Sequence, residues 1–205
     1  MTRAKGSRNR DYELRKLELA QKLRARLAGA ERPSYAELAA AACVTVPTLK
    51  HYFGDRDAVI RDVLAVHAPF GREHLERLAK PKGRFAQSVQ AAADYIAEGL
   101  ANTVVAELHA IGLSEGIGND HVGPAYITEI LEPAILALEA LFQHHIQAGD
   151  MVKADTRVAA LALISPLIVA HLHQKALGGN RSRPLDLKKY LKAHVAGFVR
   201  AYQAK

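Results

Sequence analysis

The 205-residue chain contains no tryptophan, one cysteine and only 6% aromatic residues. A single cysteine, Cys43, excludes an internal disulfide framework and fits a reducing cytoplasm, where we expect the protein to lie. The longest apolar stretch, 158–170, is too short to cross a bilayer and is interrupted by Ser165 and Pro166. We therefore expect no membrane partner. The basic N-terminus is followed by no apolar segment, which argues against a secretory signal.

Alternating strand patterns of useful length are also missing, whereas alanine and leucine are abundant. This composition favours helices, and the sequence predicts an all-α fold. Gly, Pro and Asp clusters separate the apolar-periodic segments. The predicted helices cover residues 11–29, 35–42, 45–53, 55–79, 84–101, 102–115, 124–148, 155–177 and 186–204.

Positive charge is concentrated in the first third of the chain. Residues 1–60 hold 12 Lys and Arg against 7 Asp and Glu, a net charge of +5 out of +7 for the whole chain. This distribution is expected if the first third meets a polyanion. Residues 1–10 have four basic side chains and no hydrophobic pattern, which predicts a flexible basic arm. Its basic residues are Arg3, Lys5, Arg8 and Arg10.

The segment 34–53 has the pattern of a helix-turn-helix. Ser34 with Glu37 forms a capping box before one short helix, and Thr45 can cap the next after a tight turn at Cys43. With Leu49 placed in the core and about 100° per residue, Val46 and Phe53 turn inward. The outward face is then small enough to enter a major groove. It consists of Pro47, Thr48, Lys50 and His51.

The segment SYAELAAAACVTVPTLKHYFGDRDAVIRDVL resembles the DNA-binding domain of the TetR/AcrR family of regulators. The resemblance runs from Gly29 to Leu64 and includes the Leu38-Ala39 and Thr48-Leu49 pairs. It implies an N-terminal three-helix helix-turn-helix domain at 11–54 and a C-terminal helical ligand-binding and dimerisation domain at 55–205. It also implies a homodimer, a pseudo-palindromic operator in double-stranded DNA and a small-molecule effector. Beyond about residue 70, only general architecture carries over.

DNA contacts follow from chemistry and resemblance together. Thr48 and Tyr52 are expected to donate hydroxyls to phosphates, as at the matching positions of the family. Arg56, beside a helix N-terminus, is a candidate phosphate clamp. Lys50 and His51 are candidates for base edges, with Lys50 directed towards guanine. The full predicted DNA-binding set is Ser34, Tyr35, Thr45, Pro47, Thr48, Lys50, His51, Tyr52 and Arg56.

One residue departs from the family pattern. The family usually has glycine in the turn where this chain has Cys43. A left-handed backbone there would cost a non-glycine residue about 1 kcal/mol. A redox role for this thiol lacks a second cysteine or a basic partner in the sequence.

The C-terminal part shows no catalytic motif and no metal-ligand spacing, so we expect neither enzyme activity, nor a cofactor, nor a metal. His171 and His173, two apart on a helix, diverge. An apolar pocket with a few polar side chains is the alternative. The predicted ligand-binding residues are Ile96, Leu100, Leu108, His109, Tyr126, Ile130, Phe142, Leu167 and His171.

The last two long helices are predicted to dimerise. One stripe of the final helix is apolar, and the segment 158–172 is nearly so. The stripe comprises Leu187, Leu191, Val195, Phe198 and Tyr202. The helix-turn-helix pattern, the resemblance to the TetR/AcrR family and the apolar C-terminal part together predict a ligand-responsive repressor. A small, largely hydrophobic effector is expected to release it from its operator. The alternatives are a helical small-molecule-binding protein or enzyme without specific DNA binding, and an architectural DNA binder without an effector.

Overall fold

The computed structural model describes the backbone of residues 5–29, 31–66 and 68–205, and the side chains of 10–29, 31–66 and 73–205. Within these ranges the chain is helical without a strand, which confirms the all-α prediction. The first seven helices are α1 (Lys5–Leu27), α2 (Tyr35–Ala41), α3 (Val46–Phe53), α4 (Arg56–Ala65), α5 (Ala68–Ala79), α6 (Phe85–Ala101) and α7 (Thr103–Gly116). The short α8 (Val122–Tyr126) and a π-helical turn (Ile127–Leu131) precede α9 (Glu132–Gln147), α10 (Thr156–Lys175), α11 (Gly179–Ser182) and α12 (Leu187–Tyr202).

The chain forms two compact units. The first comprises Met1–Pro69 and Glu107–Ile130, and the second comprises Phe70–Ala106 and Leu131–Lys205. These units do not follow the predicted division at residue 55. Most of α7, together with α8, belongs to the unit that contains the helix-turn-helix, although it lies about 50 residues further along the chain. Such long-range association has no signature in the local sequence pattern.

In the first unit, α1 packs on α2 and α4, and α3 packs on α2 and α4. Its core is built from fully buried aliphatic side chains, among them Leu23, Leu38, Leu49 and Ile60. Helix α1 begins at Lys5 rather than at Asp11, so residues 5–10 of the predicted arm are helical. Arg3 lies outside the described residues.

The predicted long helix at 55–79 is in fact two helices. Helix α4 ends at Ala65, and α5 begins at Ala68 with Pro69 as its second residue. Proline has no N–H for the carbonyl of Ala65, so a continuous helix is disfavoured here. The prediction of an unbroken rod from Asp55 to Ala79 was therefore wrong.

The second unit is organised around α10, which packs on α6, α9 and α12. Phe85, Phe142 and Phe198 meet in its core with ring centroids 5.4 to 6.4 Å apart. Of the described helices, α10 alone is long and apolar enough to span a membrane by length and composition. Its side chains Leu163 and Ile164 are buried in this core.

The apolar stripe of α12 faces this core instead of solvent. Val195 and Phe198 are buried, and Leu191 and Tyr202 are packed against the same cluster. The prediction that this stripe forms the dimer face was therefore wrong. Exposed apolar side chains lie instead on α10, where Val158 and Val169 are 57% and 64% exposed.

Two prolines of the second unit, Pro133 and Pro166, lie in helices and are accommodated differently. Pro133 occupies the first turn of α9, directly after the π-helical turn, where its missing N–H is tolerated. Pro166 remains inside α10. Beside it, the carbonyl oxygen of Leu163 accepts a hydrogen bond from His194 Nε2 on α12 at 2.9 Å. A side chain of α12 thus hydrogen-bonds to the backbone of α10 about one turn before the proline.

Candidate nucleic-acid interface

Three side-chain caps define the starts of α2, α3 and α4. Ser34 and Glu37 form the reciprocal capping box of α2, with bonds of 2.7 and 3.3 Å. This arrangement lowers the pKa of Glu37. Thr45 Oγ1 accepts from Thr48 N–H at the start of α3, and Asp55 accepts from Ala58 N–H at the start of α4. The caps set the helix starts within a residue of the predicted positions.

Helix α3 has the predicted two faces. Leu49 and Phe53 are buried, whereas Pro47, Lys50 and His51 are exposed. Val46 was predicted to turn inward but is 42% exposed, because it is in the first turn and lies outside the packed side of the helix. Thr48 is half-buried and its hydroxyl is 2.8 Å from that of Thr45.

Tyr35 ties the start of α2 to the end of α3. Its hydroxyl donates to the carbonyl oxygen of Gly54 at 3.0 Å. Burial raises the pKa of Tyr35, and nearby Asp55 raises it further. The single hydroxyl proton of Tyr35 is therefore directed to this carbonyl inside the protein and not to solvent. Its placement favours a structural role over the predicted backbone contact.

Arg56 is also engaged within the protein. Its guanidinium makes two hydrogen bonds to the buried Glu115 carboxylate, at 2.6 and 2.8 Å, and a third to the carbonyl of Pro33 at 3.1 Å. Arg32 reaches the same carboxylate at 3.0 Å. Arg56 holds the pKa of Glu115 below its usual value despite burial. In this structure the planar donor fork of Arg56, the predicted phosphate clamp, is therefore matched to a carboxylate.

Sequence reasoning missed Tyr12 on α1. Its hydroxyl lies 3.3 Å from the carbonyl oxygen of His51 and 3.2 Å from that of Tyr52. Its ring stacks on Tyr52 at 4.9 Å and meets His51 edge-on at 5.7 Å. An isolated tyrosine in a helical pattern carries no signal for this contact, which joins residues 39 and 40 positions apart.

Cys43 adopts the left-handed conformation considered from the sequence. It has φ of 57° and is the one described non-glycine residue with positive φ. It is exposed, and the N–H groups of Cys43 and Val44 close the turn on the carbonyls of Ala40 and Ala39, each at 3.0 Å. The turn therefore keeps the geometry that usually favours glycine.

The predicted ligand residues are divided between the units. In the first unit, His109 and Tyr126 are buried and hydrogen-bonded at 2.8 Å. Burial raises the pKa of Tyr126 to about 12. Its ring lies against Gly112, where a Cβ would be 2.0 Å from the ring. Leu108 is buried in the same unit and Ile130 is half-buried. Two of the three polar side chains predicted to face a ligand thus contact each other.

The remaining ligand residues lie in the second unit. Leu100, Phe142 and Leu167 belong to its core cluster, and Ile96 packs against that cluster. Phe142 is fully buried, so its placement is that of a packing residue. His171 is buried on α10, and burial lowers its pKa, with Lys175 adding to the effect.

An open groove occurs on the outer side of α10, with a volume of about 520 Å³. It is lined mostly by apolar atoms and includes Pro166, Val169, Leu185 and Tyr190. None of the predicted ligand residues lines it. Of the exposed apolar side chains of α10, Val169 lines the groove.

No protein-family profile and no curated protein matches the chain. Several solved structures, in contrast, match the chain in fold. A Mesorhizobium loti protein assigned to the TetR family of transcriptional regulators has a TM-score of 0.74 at 19% identity, over 94% of this chain and 98% of that one. A TetR transcriptional regulator from Agrobacterium tumefaciens gives 0.58 at 20% over 93% and 95%. The fatty acid degradation regulator FadR from Bacillus halodurans gives 0.65 at 14% over 97% and 96%. The chain therefore has the fold of the TetR-family regulators.

Proposed function

We propose that the protein is a ligand-responsive, DNA-binding transcriptional repressor that acts as a homodimer and is not an enzyme. The observation that carries the proposal is α3. Its buried side holds Leu49 and Phe53, and its opposite side presents Pro47, Lys50 and His51 to solvent on a rigid, capped scaffold. A short helix with a polar outer face fits the major groove. The excess of positive charge in residues 1–60 supports the same partner.

Lys50 and His51 are the proposed base-reading residues, and Thr48 with Tyr52 the proposed phosphate contacts. Lys50→Ala should therefore change the preferred bases and weaken binding to the preferred operator by about 1–3 kcal/mol, or roughly five- to 150-fold. Binding to scrambled DNA should change little. The measurement is fluorescence anisotropy with fragments upstream of the protein's own gene, at several salt concentrations.

Lys192→Ala, which removes an exposed lysine of α12, is the matched control and should leave both affinities unchanged. A wild-type protein that binds operator and scrambled DNA equally would refute sequence-specific regulation and favour an architectural binder. Tight binding or turnover of a small molecule without any DNA binding would favour the helical carrier or enzyme.

The surface of α10 supports the proposed dimer. Val158, Leu161 and Val169 are exposed, and Val169 lines the apolar groove. Contiguous exposed apolar surface is typical of an interface. A two-fold dimer would present two copies of α3 to a pseudo-palindromic operator with half-sites about one helical turn apart.

The hairpin of α7 and α8 is the proposed route of effector control. On one side His109 and Gly112 contact Tyr126, and at its tip the Gly116 and Gly123 backbones approach closely. Three residues beyond Gly112, Glu115 binds Arg56 at the start of α4. An effector that separates Tyr126 from His109 would act on the same rigid segment that holds α4.

A mostly hydrophobic effector fits the apolar surroundings of this pair, and one neighbour in fold regulates fatty acid degradation. We would screen fatty acids, acyl esters and aromatic metabolites by thermal stabilisation, and titrate each hit against the preformed operator complex. The effector should weaken operator binding by about five- to 150-fold, because allosteric coupling is typically 1–3 kcal/mol. A ligand that binds tightly but leaves operator affinity unchanged would contradict control by that ligand.

A further inference from the structure

The carbonyl groups at the end of α3 need partners from elsewhere. The last four carbonyl groups of a helix have no N–H donor within that helix. Gly54 N–H bonds to the carbonyl of Lys50 at 2.9 Å. The next two carbonyls, of His51 and Tyr52, share the hydroxyl proton of Tyr12. A side chain from α1 thus completes the C-terminal end of the proposed recognition helix.

The same tyrosine contacts both adjacent rings. Tyr12 stacks on Tyr52 with an interplanar angle of 25° and meets His51 edge-on at 89°, and the His51 and Tyr52 rings are 5.3 Å apart. Offset stacking and edge-to-face contacts are the favourable geometries of aromatic pairs. His51 is otherwise exposed. Ring contacts therefore restrict a side chain that would exchange rotamers freely on an open helix surface.

We infer that Tyr12 is a positioning residue for DNA recognition, which orients His51 and Tyr52 before DNA binds and thereby affects base preference. The inference rests on the proposed function, since it requires that His51 reads bases. Preorganisation raises affinity because fewer side-chain rotamers must be ordered on binding. Tyr12 acts through its neighbours and need not touch a base.

Two variants separate the contributions. Tyr12→Phe keeps the ring contacts and loses the hydroxyl, whereas Tyr12→Leu loses both. We expect Tyr12→Leu to weaken binding to the preferred operator about threefold to tenfold. The loss should be concentrated at the base positions that His51→Ala also affects. Tyr12→Phe should have a smaller effect. Binding to scrambled DNA should fall by a smaller factor for both, because only the phosphate contact of Tyr52 contributes there.

A double-mutant cycle supplies the readout that a merely structural role would not change. Once His51→Ala has removed the imidazole, Tyr12→Leu should no longer alter base preference, so the two effects are non-additive. Leu14→Ala, at a 53% exposed position of the same helix, is the matched control and should change nothing. Equal weakening on operator and scrambled DNA, or additive effects in the cycle, would overturn the inference.

A measurement without DNA distinguishes this inference from the proposed function. NMR relaxation and side-chain couplings of His51 in the full-length protein report whether its ring occupies one rotamer. Tyr12→Leu should increase rotamer averaging, and Tyr12→Phe should do so less. An equally ordered His51 ring in Tyr12→Leu would refute the positioning role even if operator binding is confirmed. If Tyr12→Leu shows the expected disorder of the His51 ring but the wild-type protein binds no operator, the proposed function is refuted. The role of Tyr12 in DNA recognition is then refuted with it, although Tyr12 does order the His51 ring.

Discussion

Cys43 shows how one residue can carry strain in a functional turn. Its left-handed backbone connects α2 to α3, and a Cβ in this conformation crowds the backbone. The chain tolerates the strain because two backbone hydrogen bonds and the cap of α3 determine the turn. The backbone hydrogen bonds of the turn do not involve the thiol group. A residue without a Cβ can therefore adopt the same backbone conformation without the strain.

Cys43→Gly should raise the free energy of unfolding by about 1 kcal/mol, because glycine adopts positive φ without a steric penalty. Urea denaturation at pH 7 measures the change. Cys43→Ser, which keeps the Cβ and the strain, is the control and should unfold like the wild type. A glycine variant less stable than the serine variant would show that the turn is not strained.

His145 is a buried titratable residue in the second unit. It is 1% exposed, and neither of its ring nitrogens has a hydrogen-bond partner. The nearest carboxylate oxygen, on Asp150, is 3.5 Å from Nδ1, which is too far for a good hydrogen bond. Burial lowers the pKa of His145; the nearby Asp150 carboxylate opposes this shift, and the adjacent His144 adds to it.

Because the folded pKa is lowered, the unfolded chain binds the proton first as the pH falls. The contribution of His145 to stability is full above the unfolded pKa of about 6.5 and is lost below it, at up to about 1.4 kcal/mol per pH unit, until the folded pKa is reached. His145→Leu should therefore reduce the fall in the free energy of unfolding between pH 7.5 and 5. His121→Leu, at an exposed histidine, should leave the fall unchanged, and an unchanged slope in His145→Leu would contradict the prediction.

At the scale of elements, ion pairs join helices that are distant in sequence. Glu115 of α7 binds Arg56 of α4 and Arg32, and Glu107 of the same helix binds Arg24 of α1 at 2.7 Å. The amide of Asn119 also donates to Asp57 at 3.1 Å. These contacts attach the hairpin of α7 and α8 to the helix-turn-helix by charge as well as by packing.

Glu115→Gln should lower the free energy of unfolding at pH 7 by about 2 kcal/mol, since it leaves Arg56 without its charged partner. The folded pKa of Glu115 is lowered, so this stabilisation is present above the unfolded value of about 4.3 and is lost as the pH falls through the folded pKa. The difference from the wild type should therefore shrink below pH 4. Glu18→Gln, in an exposed pair with Arg15, should cost little; equal costs would argue against the buried network.

At the scale of the whole molecule, the exposed apolar surface of α10 determines the predicted assembly. Val169→Glu places a charge at the centre of this surface and should convert the dimer to a monomer in sedimentation experiments at micromolar concentration. Operator affinity should fall with it, because two half-sites are no longer bound together. Leu136→Glu, at a 55% exposed position on α9, should preserve the dimer. Dissociation by both variants, or by neither, would place the interface elsewhere.

The sequence by itself determined the helical composition, the caps and the faces of α3. Ser34, Thr45 and Asp55 act on backbone groups within three residues, so their effects can be predicted from local spacing. The break at Pro69 was equally local and could have been recognised from the missing N–H. The resemblance over 29–64 predicted the fold for the same reason. This segment is short, and many of its residues are specified by local spacing.

The tertiary structure decided which side chains are partners. Arg56 meets Glu115 after 59 residues, and Tyr12 reaches α3 after 39. The stripe on α12 turned inward because α6 and α10 cover it. An amphipathic pattern specifies that a face is buried, but it does not specify whether another helix of the chain or a second copy covers that face. Contacts between distant segments depend on how the helices pack, and therefore the roles of Arg56, Tyr12 and the α12 stripe were not predictable from spacing alone.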